Sequence, residues 1–193
     1  MHIWEKIPLH ERRDLLVAWL ALSAAFTLAM VWGQRLDPFI IGQFFIISLV
    51  TAGIAFIVHE MAHKFTAMKY GYWAEFQMNS MMLVVAVAMA ALAGIVFAAP
   101  GATMIYGNSI SREENGKISL AGPVSNLILL IPFAALIFVG QSAGSGILAI
   151  IGLVGVKVNA MIAAFNLLPV GPLDGAKILS WNPVIFAGVA LIA

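Results

Sequence analysis

The chain has 193 residues, 62% of them hydrophobic and only 10% charged, where an ordinary soluble domain has roughly 45–50% and about 25%. A soluble globular fold is excluded by that balance. Ten Lys and Arg against nine Asp and Glu leave a net charge of +1, so no basic face exists to hold a nucleic-acid backbone. There is no cysteine, which removes disulfides, iron–sulfur clusters and thiolate zinc sites.

In chain order, residues 1–14 are polar and mixed in charge, and no cleavage pattern follows the first apolar run. They are expected to form an interfacial segment rather than a signal peptide. Two apolar runs follow, about Leu15–Trp32 and from Phe39 onward, separated by the Gln-Arg-Leu-Asp-Pro break at 34–38. Both read as membrane spans. Further apolar runs lie at about Met81–Ala99, Ile118–Val139 and Ile147–Leu168, with a shorter one at Val184–Ala193. The expected architecture is an all-α polytopic membrane protein of five to six segments, folded as one membrane-embedded domain with a core over 39–177.

The second span passes directly into His59-Glu60-Met61-Ala62-His63. Residues four apart share a helix face, so both imidazoles can aim at one point, as a tetrahedral metal needs. Glu60 is displaced around the helix but close enough to take a proton from a metal-bound water. The spacing is the His-Glu-x-x-His metalloprotease pattern. The bland alternative is a set of interfacial polar residues, against which stands the cost of ionisable groups inside a membrane run.

Two histidines and a water leave zinc one protein ligand short. Glu5, Glu11, Asp14, Asp37, Glu75, Glu113 and Glu114 lie in polar or terminal stretches, where solvated roles are expected. Asp174 instead follows Asn166-Leu167-Leu168-Pro169-Val170-Gly171-Pro172-Leu173. The prolines and glycines there break a helix, which membrane depth tolerates only inside protein or beside water. Its other reading is an ordinary loop leaving the membrane.

Three blocks, in this order, resemble the site-2 protease family of intramembrane zinc metalloproteases. They are His59–His63, Ala121-Gly122-Pro123-Val124-Ser125-Asn126, and Asn166-Leu167-Leu168-Pro169 with Leu173-Asp174-Gly175. The resemblance implies one zinc held by His59, His63 and Asp174, Glu60 as general base, and Asn166 orienting the substrate or stabilising the oxyanion. Asn166 is equally readable as a cap on freed helix carbonyls. Asn126, Asn159 and Pro169 are weaker substrate-binding candidates, and the two asparagines could instead join helices by hydrogen bonds. The length leaves no room for the PDZ or CBS modules of other members, so a minimal form is expected, and the last apolar run is too short for a complete span.

For the histidine end and Asp174 to meet at one depth, segment 81–106 is expected to re-enter, turning near Gly94 or Pro100 and returning extended. That path puts Lys6, Arg12, Arg13, Lys64, Lys69, Arg112, Lys117 and Lys177 on one side and only Arg35 on the other, which implies a cytoplasmic N-terminus and active-site opening in the cell membrane. The expected partners are the lipid bilayer and a transmembrane protein substrate that adds as a strand to segment 81–106. A di-iron oxygenase would need more ligands than the chain has, and paired half-sequences typical of inverted-repeat transporters are absent. The remaining alternative is an inactive metal-binding relative serving as a partner-binding or transport protein. Lys157, a charge in mid-span, is expected to snorkel or to pair with a carboxylate and has no assigned role.

Overall fold

A computed structural model describes residues 6–96, 100–107 and 109–193; His2 and Glu5 lie outside them. The helices are α1 (Leu9–Val31), α2 (Pro38–Ser48), α3 (Ile54–Lys69), α4 (Ser80–Ala93), α5 (Arg112–Ser142), α6 (Gly146–Asn166), α7 (Asp174–Trp181) and α8 (Pro183–Ile192). Strands β1 (Trp73–Met78) and β2 (Gly101–Tyr106) form one two-stranded sheet. Two compact units result, Met1–Ile57 with Glu75–Met104, and Val58–Ala74 with Ile105–Ala193.

Five to six spans are expected from the sequence. Among the described residues four helices are long and apolar enough to cross a membrane: Leu9–Val31, Pro38–Lys69, Arg112–Ser142 and Gly146–Asn166. The two shortfalls are α4, with 14 residues, and α8, with 10, against the roughly 20 that the hydrocarbon core requires. In α4 the reason is Gly94, which takes a left-handed conformation (φ 68°) and ends the helix with the Trp32 side chain packed on it.

In the first unit, α2 joins α3 through a π-helical turn, Leu49–Gly53. The widened turn leaves the Leu49 carbonyl to accept from the Trp19 indole at 3.0 Å. Gly53 admits that indole, since a Cβ there would overlap it. Thr27 Oγ1 donates to Ser48 Oγ at 3.0 Å, polar glue between helices of spanning length.

The sheet closes the segment that carries α4. The Asn79 amide donates to the Pro100 carbonyl at 2.9 Å, so residues 79 and 100, on either side of α4, meet. On the other edge of β1 the Phe76 amide donates to Glu11 Oε1 at 2.9 Å and the Met78 amide to Asp14 Oδ2 at 3.3 Å. Glu11 is fully buried, contrary to the solvated role its polar neighbours suggest. Its charge is spent on an edge amide that would otherwise be open to another strand. Glu75 bonds His10 at 3.2 Å.

In the second unit, α5 starts with a capping box between Ser111 and Glu114. It packs against α6 through glycines: a Cβ on Gly152 would sit 2.7 Å from the Phe133 carbonyl oxygen, and one on Gly155 would strike the Phe133 ring. Backbones therefore approach closely, as small residues permit in helices of this type. Residues 167–173 are not helical, and α7 begins at Asp174.

Candidate metal centre

The candidate centre and its hydrogen-bond partners lie within the second unit. Helical spacing on α3 puts His59 and His63 on one face, and the break after α6 delivers Asp174 at the first position of α7, where helix amides favour an anion. Burial by itself raises the Asp174 carboxyl, but His63 and His59 beside it outweigh burial and hold it below the ordinary carboxylate range. It is therefore available as an anionic ligand.

The three side chains are buried and their ligand atoms form a triangle. His59 Nε2 lies 3.0 Å from His63 Nε2, and Asp174 Oδ2 lies 3.3 Å from the first and 3.1 Å from the second. A tetrahedral zinc with bonds of about 2.0–2.1 Å has edges of roughly 3.3–3.4 Å, so small outward shifts suffice.

Protonation supports the same fit. His63 Nδ1 lies 2.8 Å from the Ile118 carbonyl oxygen, which can only accept, so that nitrogen carries a proton and the neutral ring offers its lone pair at Nε2. For His59 the proton is positioned through two amides. Asn159 Nδ2 donates to the Gly155 carbonyl at 2.9 Å, which turns Asn159 Oδ1 toward Asn126 Nδ2 at 3.0 Å. Asn126 Oδ1 then faces His59 Nδ1 at 2.7 Å and must accept. In the neutral rings the lone pairs therefore sit on the two Nε2 atoms, which converge with a carboxylate oxygen, a donor set that suits a zinc ion.

Gly122 completes the cradle. A Cβ there would lie 2.6 Å from His59 Cε1 and overlap the His63 ring. It sits four residues before Asn126, hence on the same face of α5; that spacing was the available signal for a residue to which the sequence reading gives no role. The Ile118 carbonyl has no signal in side-chain identity at all.

Glu60 is buried on α3 beside His59. Asn126 and Asn159, read from sequence as substrate contacts or helix glue, are fully buried and bonded to each other behind His59. Asn166 closes α6, where its Nδ2 donates to the Ile162 carbonyl at 3.0 Å. Pro169 is exposed in the connection 167–173. Lys64, expected to flank the membrane, is fully buried; its Nζ donates to the Ala74 carbonyl at 2.7 Å and lies 5.5 Å from the Trp73 ring centre. It ties the end of α3 to the start of β1. Lys177 Nζ is 3.9 Å from Asp174 Oδ1, the oxygen turned away from the imidazoles.

The sequence is 43% identical over 147 residues to the protein named Putative zinc metalloprotease MJ0611 of Methanocaldococcus jannaschii, an alignment covering 76% of each chain. It is 29% identical over 145 residues to Putative zinc metalloprotease YwhC of Bacillus subtilis, covering 68% of this chain and 66% of that protein. No family profile matches it, and no solved structure does.

Proposed function

Because the chain belongs to the zinc metalloprotease family represented by the M. jannaschii relative, we propose that it is an intramembrane peptidase of the site-2 protease type. It hydrolyses a peptide bond in or near a transmembrane segment of another membrane protein. The observation that carries this reading is the location of the ligand triangle: His59 and His63 lie within a 32-residue helix of spanning length.

His59, His63 and Asp174 would hold one Zn²⁺. Bound there, zinc would supply Lewis acidity, lowering the pKa of a water toward neutrality and polarising the scissile carbonyl. Glu60 accepts the proton of the attacking water on its carboxylate and delivers it to the leaving amine. Asn126, held by Asn159, keeps the proton of His59 on Nδ1, and the Ile118 carbonyl does the same for His63. Asn166, at the end of α6, orients the substrate from the loop side.

A transmembrane helix hides its peptide bonds, so the substrate enters extended. The outward amides of β1 at Phe76 and Met78 are occupied by Glu11 and Asp14, which leaves β2 as the strand that accepts it. The excess of Lys and Arg on one side of the proposed topology supports a cytoplasmic N-terminus and a cytoplasmic opening of the site.

The test is cleavage of a transmembrane substrate with helix-destabilising residues by the purified protein in detergent, before and after zinc chelation. Cleavage that stops on chelation and returns with zinc supports the reading; cleavage indifferent to chelation overturns it.

A further inference from the structure

Lys157 is the twelfth of the 21 residues of α6, a helix of spanning length. Its side chain is exposed, and no ion pair is formed by it among the described residues. The residues that share its face at helical spacing are apolar and also exposed: Ile150 by 44%, Leu153 by 56% and Met161 by 48%. The opposite face is the one that packs on α5, with Gly152 and Gly155 against Phe133. A single cation therefore stands in the middle of an outward apolar stripe.

In a bilayer this placement is costly, by about 2.5–3.5 kcal/mol on insertion scales. Snorkelling gives limited relief. Lys157 is 11 residues from Gly146 and 9 from Asn166, about 16 and 14 Å along the axis at 1.5 Å per residue, beyond the reach of a four-carbon stem. A second copy of the chain offers no counterion at that depth. Among the described residues the carboxylates of the spanning helices are Glu11, Asp14, Glu60, Glu113 and Glu114. The first two are spent on β1 amides, Glu60 is buried, and the last two lie in the first turn of α5.

We propose that the Ile150–Leu153–Lys157–Met161 face of α6 is a docking surface for a transmembrane helix of another protein that carries a carboxylate near its midpoint. The apolar residues supply van der Waals contact, and the charge pair sets the partner's identity and depth. Lys157 is two residues from Asn159, so the docked carboxylate is held near the level of the residues behind His59. This inference requires only that α6 spans the membrane and stands apart from the peptidase reading.

The full chain, labelled with a donor dye at Gln141→Cys, is reconstituted in phosphatidylcholine vesicles. Its association with acceptor-labelled Leu/Ala transmembrane peptides bearing a central Asp, Leu or Lys is then measured by energy transfer. The Asp peptide is expected to associate at least about tenfold more tightly than the Leu peptide. Lys157→Met removes that difference, Lys157→Arg keeps it, and Lys157→Glu shifts the preference to the Lys peptide; equal bound zinc in all variants shows that the second unit is intact. Equal association of the Asp and Leu peptides overturns the proposal, as does an Asp preference that survives Lys157→Met. Lys157-dependent retention of phosphatidylglycerol without any peptide preference overturns it in favour of a lipid headgroup.

Discussion

Asn126 Oδ1 lies 2.7 Å from His59 Nδ1, and the direction of that hydrogen bond is fixed two residues away, by the carbonyl of Gly155 acting through Asn159. A backbone group that can only accept thereby determines which nitrogen of His59 is free for a metal. Asn126→Leu should lower zinc affinity about 10–100-fold, the usual effect of losing such an outer hydrogen bond. Asn126→Asp, which still accepts from Nδ1, should retain most of it. Competition against a chelator of known affinity measures both; equal affinity in Asn126→Leu and wild type would refute the relay.

Gly122→Ala separates helix propensity from site geometry. In a helix interior the change is worth up to about 1 kcal/mol in favour of folding. The new Cβ, however, would overlap the His63 ring and stand 2.6 Å from His59 Cε1. The folded variant should therefore lose bound zinc without losing helix content. Full zinc occupancy in Gly122→Ala, quantified by atomic emission, would show that the imidazoles are not held as described.

Glu11 illustrates how much a single buried carboxylate contributes to the sheet. Glu11→Leu leaves the Phe76 amide buried without its acceptor, a cost of about 1–3 kcal/mol, whereas Glu11→Gln keeps an acceptor oxygen. Hydrogen exchange at Phe76 should accelerate about 5–150-fold in the first variant, the factor that corresponds to that cost, and much less in the second. Identical protection in both would contradict the role assigned to Glu11.

On the proposed reading zinc binds only the assembled triad, so metal removal should destabilise the wild type by mass action; at a free concentration of 100 Kd the contribution is about 2.7 kcal/mol. Chelation should lower the wild-type melting temperature and leave that of Asp174→Ala unchanged. A chelation-induced shift of equal size in Asp174→Ala would exclude Asp174 from the site.

Much of this centre was legible in the sequence because its signals are local. His59 and His63 are four apart on a helix, and Asp174 follows a proline- and glycine-rich break in an otherwise apolar stretch; both patterns follow from backbone geometry. The turn at Gly94 was legible for the same reason. What escaped depends on the partner brought by folding. Glu11 has polar neighbours in sequence and is buried only because β1 returns to α1. Lys64 looks like a membrane-flanking charge until the Ala74 carbonyl reaches its ammonium. The roles of Asn126 and Asn159 turn on which way two amides point, which the pairing of α5 with α6 decides. Of the six apolar runs counted in the sequence, four form helices of spanning length among the described residues, while α4 and α8 form shorter ones.

In the proposed function a triad-held zinc and Glu60 together hydrolyse a peptide bond. The most direct measurement is cleavage of a transmembrane substrate by purified protein, with bound zinc quantified in parallel, for wild type, Glu60→Gln and Asp174→Ala. The account predicts that Glu60→Gln keeps its zinc while activity falls by a factor on the order of 10²–10⁴, and that Asp174→Ala loses both metal and activity. Wild-type cleavage rates in zinc-loaded Glu60→Gln would contradict it.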